Sequence, residues 1–356
     1  MTWLLLAGFL QTAPLPPIPR AQEPPDRSGA VSEEAFVERV VVDAHVTAPN
    51  GTPIPNLTAA DFVVKVDHVP VALESVEWVA AETAEVQPLP PEAAAPGEGP
   101  GRALAPEEIA PGRLIVMFFQ TDYEPSRLIG LIRMAAQARQ FLYKMLPSDR
   151  VAVASFDSHL KLRQDFTADH GKIERAINAS LMRRNDYEPD PDSHPALARH
   201  LDLTAAKKAA TPERALALLA DALTPIPGGK SMLYFGWGLG TVGGLAGPNP
   251  AEVRAWRDAM RGMASARVSI FTLDVTNADF HSLEGYLEQI SDLTGGRYEK
   301  THIFPGLAMQ RVERAISGRY VLVFVKPRSY HGTHYIDVDV LGHKSVHVSA
   351  RQYYTD

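Results

Sequence analysis

The chain has 356 residues, a formal net charge of −7, 45% apolar and 22% charged residues, and no cysteine. That length suits one large domain or two ordinary ones, with the composition of a folded soluble protein. The lack of cysteine excludes thiol catalysis, thiolate metal sites, disulfides and a lipidated amino-terminal Cys, and an acidic balance without a basic block argues against nucleic acid as a partner.

Residues 3–10 form a short apolar stretch followed by a Pro-rich polar tail. The stretch is too short to span a bilayer. It resembles a secretory h-region, although no Lys or Arg precedes it and no small-x-small cleavage site follows it. Residues 1–34 are read as a signal-like leader and linker, and the expectation is export to the periplasm or the exterior. The alternative is a mis-assigned start or a plain apolar tail. No other stretch is long enough for a membrane helix.

Residues 35–80 read as a small β-module. Val40, Val42, Ala44 and Val46 alternate with Arg39, Val41, Asp43, His45 and Thr47, which suggests a half-buried strand. A turn cluster follows at 49–53, then a short helical or looped link at 57–62 and further strands at 62–66 and 69–79. Residues 81–112 are rich in Pro, Ala, Glu and Gly and read as a flexible linker.

The core begins at Arg113. The run from Leu114 to Phe119 is apolar throughout, the mark of a strand buried on both faces. A helix follows at 126–146, with Leu128, Leu131, Ile132, Ala135, Ala138, Leu142 and Met145 on one face. Further strands are expected at 150–156, 230–235 and 268–273, with a short edge strand at 160–163. Helices are expected at 169–181, in a pair across 196–223, and at 250–264, 286–294 and 307–317. Gly295 caps the helix before it. This alternation demands an α/β fold, a doubly wound and mostly parallel sheet with helices on both faces. Strands at 319–325 and 335–340 and an alternating stretch at 345–353 close the chain. The first is expected to reach the main sheet. The C-terminal segment 326–356 is expected to pair with 35–80 into a small β-sandwich.

The order of these pieces resembles the von Willebrand factor A domain, and specifically the acidobacterial VWFA-related family of exported proteins. The stretches that carry the resemblance are 42–62, 146–156, Gln164 to Thr167, Thr294 to Tyr298 and Arg351 to Tyr354. No single piece is specific; their order and spacing are. The resemblance implies a von Willebrand A-like (Rossmann-like) domain over 113–325. It also implies a metal-ion-dependent adhesion site for Mg²⁺ or Mn²⁺, with Asp-x-Ser-x-Ser at the end of the first core strand. One carboxylate and two hydroxyls there leave a coordination position open for a partner's carboxylate.

The matching positions here are Gln120, Asp122 and Glu124. A neutral amide stands where the anchoring carboxylate belongs, and both hydroxyls have become carboxylates. The loop after the third core strand carries Trp237 between Gly236 and Gly238, without an acid. Thr204, beside Asp202, is the nearest match to the family's Thr. The favoured reading is a degenerate site with no cofactor and no bound metal, in which Glu124-Pro125-Ser126 starts the helix. If any ion binds, Asp122, Glu124 and Asp274 would hold it.

Three other groupings are weaker. His331, His334, His343 and His347 lie close in sequence but on a turn and a period-two strand. Gly236 to Gly244 lacks the dinucleotide spacing and reads as a mobile loop over the sheet's edge. Ser155, Asp157 and His159 lack a nucleophile elbow. The sequence therefore points to an exported, non-enzymatic module that binds an unidentified protein through the loops at 121–126, 186–194 and 237–244, with Tyr123 and Trp237 as anchors. The alternatives are a cation-dependent adhesion module with altered ligands and a hydrolase.

Overall fold

The computed structural model describes residues 38–81, 112–182, 195–240, 250–328, 331–343 and 345–356. The leader, nearly all of the 81–112 linker and the 186–194 loop lie outside the described residues.

The chain opens with Arg39–Thr47 (β1), a 3₁₀ turn at Ala59–Asp61, Phe62–Val66 (β2), Val69–Val71 (β3) and Leu73–Ala80 (β4). An α/β body follows: Leu114–Gln120 (β5), Pro125–Leu142 (α1), Arg150–Phe156 (β6), Leu160–Thr167 (β7) and His170–Leu181 (α2). Next come the short Leu203–Ala206 (α3), Pro212–Leu223 (α4), Lys230–Gly236 (β8), Pro250–Ser265 (α5), Val268–Asp274 (β9), Glu284–Thr294 (α6), Tyr298–Lys300 (β10) and Pro305–Ala315 (α7). Gly318–Val325 (β11), Thr333–Val340 (β12), His347–Ala350 (β13) and Tyr353–Thr355 (β14) complete the chain.

The main sheet has the order β10-β9-β8-β5-β6-β7. Every pair in it is parallel except β6 with β7. All seven residues of β5, β8 and β9 are buried, as the apolar runs required. Alternate residues of β5 feed two cores. Leu114, Val116 and Phe118 pack with α4, α5 and α6, whereas Ile115, Met117 and Phe119 pack with α1, α2 and α7. The fold is thus α/β and doubly wound. From β5 the chain moves outward to β6 and β7, then crosses back to β8 on the other side. The switch point lies between β5 and β8, where α1 leaves toward one face and α5 toward the other.

A third core lies between two four-stranded antiparallel sheets, β13-β1-β11-β4 and β14-β12-β2-β3. These strands from both ends of the chain form the small β-sandwich. One expectation fails here. The 319–325 strand, β11, does not reach the main sheet; it pairs with β1 and β4. Its residues are apolar on both sides, so the sequence resembles a doubly buried strand. Its burial nevertheless alternates, with Tyr320, Leu322 and Phe324 inside the sandwich.

The other face of β1 is not solvated. Asp43, His45 and Thr47 are buried. Asp43 accepts from Arg267 Nε and Nη2, both at 2.8 Å, and from Arg319 Nε at 3.0 Å. His45 Nδ1 lies 3.0 Å from the Ala315 carbonyl, and its ring meets Phe271 edge-on. A polar stripe of β1 therefore joins the sandwich to the α/β body. Burial pushes the His45 imidazole down to about 4, with the Arg319 charge acting the same way. Burial acts to raise the Asp43 carboxyl, but Arg267 and Arg319 outweigh it and hold the group at about 2.

Two glycines set the approach of helix to sheet. A Cβ on Gly130 of α1 would collide with the Val275 carbonyl, so only glycine lets α1 lie on the end of β9. Gly295 ends α6 in the left-handed region at φ 78°.

Candidate functional site

In open α/β sheets, ligands bind in the crevice outside the carboxyl ends of the strands at the switch point. Here that crevice is closed by Gln120, the last residue of β5 and almost fully buried. Its Oε1 accepts from Tyr234 Oη at 3.0 Å, Trp237 N at 3.0 Å and Gly238 N at 3.2 Å. Burial pushes the Tyr234 phenol well above its ordinary value, so it remains a donor. A single amide oxygen thus ties the end of β5 to the loop after β8. A Cβ on Gly236 would come within 2.7 Å of that oxygen, and one on Gly238 within 2.6 Å of the Leu283 side chain. Gly240 N donates to buried Glu213 Oε1 at 2.6 Å. Residues 236–240 are therefore pinned rather than mobile, and their glycines allow close packing. Residues 241–249 lie outside the described residues.

The loop from β5 to α1 is closed by its own contacts. Asp122 Oδ1 accepts from Glu124 N at 3.1 Å, and Oδ2 pairs with Arg127. Partial burial acts to raise the Asp122 carboxyl, but the Arg127 hydrogen bond and the Glu124 N–H hold it below its ordinary value. Glu124 is the N-cap of α1, accepting from Arg127 N at 3.3 Å and from Ser126 Oγ, with Pro125 in the first turn. The Arg127 guanidinium lies 3.7 Å from the centroid of the Trp237 ring, a cation–π stack. Trp237 is half-buried against the α1 face of the core.

Asp274 ends β9. Its Oδ1 accepts from Thr276 N at 2.9 Å, and its Oδ2 meets Tyr298 Oη at 2.9 Å and His281 Nε2 at 2.7 Å. Burial first, and then the Asp274 charge, push the Tyr298 phenol far up, so it too stays protonated. Gln120 Oε1 and both carboxylate oxygens of Asp122 and Asp274 are thus turned to protein donors, and exposed Glu124 uses Oε2 to cap α1. Among the described residues, no group of three or more His, Asp or Glu side chains is placed to hold a metal ion.

The remaining sequence candidates are scattered. Asp202 caps α3 through Thr204 N and Ala205 N, both at 2.9 Å, and Thr204 is exposed. Ser155 accepts from Arg163 at 2.7 Å, whereas Asp157 pairs with Lys161 at 2.7 Å. His334 is fully buried, 2.8 Å from Asp67, while the side chain of His331 is almost fully exposed.

Tyr123, an anchor expected from the sequence, belongs to an apolar rim whose other members sequence reasoning missed. Tyr123 is 54% exposed on the loop after β5, Phe280 78% after β9, and Phe304 61% after β10, beside exposed Ile303 and Leu307. His302 joins these loops: its Nε2 lies 3.0 Å from Asp279 Oδ1, and its carbonyl accepts from Arg133 of α1 at 3.4 Å. Asn277 N donates to the Ser126 carbonyl at 3.2 Å, bringing the β9 loop to the start of α1. The signal available in the sequence was a bulky apolar residue in each of three loops after core strands.

No family model matches the chain, and no curated protein matches it. Several solved structures are similar at low levels. A von Willebrand factor type A protein from Catenulispora acidiphila is 9% identical with a TM-score of 0.38, over 90% of this chain and 75% of that one. BatB from Bacteroides thetaiotaomicron is 12% identical with a TM-score of 0.36, over 58% of this chain and 98% of that one. The PilB minor pilin from Streptococcus sanguinis is 12% identical with a TM-score of 0.35, over 58% of this chain; the match spans 60% of the pilin's length. At such scores the α/β class rests on the strand order described above. Among the described residues, no helix is long and apolar enough to cross a membrane.

Proposed function

We propose that this protein is an exported, non-enzymatic interaction module that binds a protein partner through the carboxyl-edge loops of its main sheet without using an ion. The observation that carries this reading is the apolar rim. Phe280, Ile303, Phe304 and Tyr123 stand exposed on three loops that touch one another through His302, Arg133 and Ser126. Exposed apolar groups gathered in this way mark interaction surfaces, and aromatic side chains dominate binding hot spots. Asp122 and Asp274 beside the rim are engaged by protein donors, which supports recognition by contact rather than by coordination. The order of the pieces, similar to a von Willebrand A domain with a degenerate adhesion site, agrees with this reading.

The test is affinity capture from the secreted or periplasmic fraction of the source organism, with Mg²⁺ and with EDTA, using wild type, Phe280→Ser and Phe304→Ser. The expected result is a partner captured equally in both buffers and lost with either substitution, while the thermal midpoint of each variant stays near wild type. Capture abolished by EDTA would favour the cation-dependent alternative. The hydrolase alternative has one feature on its side, the buried Asp274 carboxylate holding His281 as in general-base pairs. Turnover on an ester, phosphate and peptide panel, lost in His281→Ala, would replace the binding reading.

A further inference from the structure

The seam between the β-sandwich and the α/β body holds more positive charge and more donors than its own acceptors satisfy. Arg267, Arg319, Arg351 and Lys230 meet there around Asp43, the one carboxylate among the described residues that acts on both Lys230 and Arg351. Both Asp43 oxygens are already engaged, Oδ1 by Arg267 Nη2 and Arg319 Nε, and Oδ2 by Arg267 Nε. Lys230 Nζ turns instead to the Ala266 carbonyl at 2.8 Å. Arg351 bridges the seam, donating from Nη1 to the Ala264 carbonyl of α5 at 3.0 Å and from Nη2 to the Val41 carbonyl of β1 at 2.8 Å. Its third donor, Nε, is buried without a hydrogen-bond partner. Arg351 lines a cavity of about 10 Å³, together with Asp43, Arg267, Ser269 and Thr294. That is room for one small particle. Asp43 is the only anionic group on the wall.

A buried N–H without an acceptor is costly, and like charges crowded into a partly buried seam repel one another. One particle that accepts hydrogen bonds and carries negative charge answers both. We propose that this cavity binds a monovalent inorganic anion of the size of chloride, held by Arg351 Nε with Ser269 and Arg267 on its wall, and that the anion pins the sandwich to the α/β body. The anion offsets the surplus of Arg267, Arg319 and Arg351 over Asp43 at the place where β1, α5 and β9 meet. This site lies apart from the apolar rim and does not depend on it.

The test is thermal unfolding of the whole chain at constant ionic strength, with chloride replacing gluconate, which is too large for the cavity. The expected result is a midpoint that rises with the logarithm of chloride concentration, by about 4 °C at a hundredfold excess over the dissociation constant. Bromide reproduces the rise, and bromide-soaked crystals show an anomalous peak beside Arg351 Nε. Arg351→Lys keeps the charge but removes that donor, and the chloride-dependent rise disappears. Ser269→Ala, a milder change for the case where the first variant fails to fold, weakens the apparent chloride affinity at least threefold. Equal midpoints of wild type in the two salts, an unchanged rise in the substituted proteins, or a bromide crystal without a peak at the cavity would overturn the proposal and leave an ordered water there.

Discussion

Gln120→Leu tests whether one side chain seals the switch point. Leucine fills a similar volume but accepts no hydrogen bond. The substitution strands three donors, the buried Tyr234 Oη and Gly238 N–H and the part-buried Trp237 N–H. Each stranded donor costs about 1–3 kcal/mol. The Tyr234 hydroxyl can rotate and the loop after β8 can shift, so the sum falls to the lower end, about 3 kcal/mol. At roughly 1.5 °C per kcal/mol for a chain of this size, the thermal midpoint falls by about 4–5 °C. Gln120→Glu keeps an oxygen at the same place and loses less than half as much. Circular dichroism with urea and thermal unfolding reads both variants. A leucine variant within about 1 kcal/mol of wild type, or equal losses in the two, refutes the idea that the amide oxygen joins β5 to the loop.

The other expectations concern the seam. Asp43→Ala leaves Arg267 and Arg319 without their shared carboxylate, and urea unfolding should show a loss of about 3 kcal/mol, the lower end for breaking a buried pair because both arginines are about one-fifth exposed. His45 has a folded value of about 4 against an ordinary 6.5, so its contribution is fully present above pH 6.5 and is lost as the pH falls toward 4. That is roughly 3 kcal/mol at 1.36 kcal/mol per unit, and His45→Gln should flatten the stability profile measured across this window. Lys230 is lowered to about 7, by burial first and then by the Arg267 charge. Below pH 7 it is charged in both states and its full cost is present; between pH 7 and 10.5 the unfolded chain binds the extra proton, so stability rises with pH. Lys230→Met should therefore stabilise the protein at pH 7 by about 1–2 kcal/mol, a gain that shrinks by pH 10.

The strands of the α/β body were legible because burial on both faces leaves a continuous apolar run, as in Leu114–Gln120 and Val268–Asp274. The seam was not. The stripe Asp43, His45, Thr47 reads as the wet face of a half-buried strand, and nothing local reveals that Arg267 and Arg319 wait more than two hundred residues away. β11 misled for the opposite reason, since apolar residues on both sides hide the alternation. In α1, Ile129 and Ile132 are exposed, at 46% and 49%, while Met134 and Phe141 are buried. Apolar residues around much of that helix left its phase ambiguous, and Ile132 was placed on the wrong face. At the candidate site the residue types read as a poor cation set. Their actual roles depend on partners that spacing does not show: the Arg127 stack on Trp237, and two N–H groups from the loop after β8.

The central claim is that recognition at this edge needs no ion. Its most direct test is calorimetric titration of Mg²⁺, Mn²⁺ and Ca²⁺ into wild type and Asp122→Ala. The account expects no saturable heat for any of the three in either protein. Saturable binding to wild type that disappears in Asp122→Ala would contradict it.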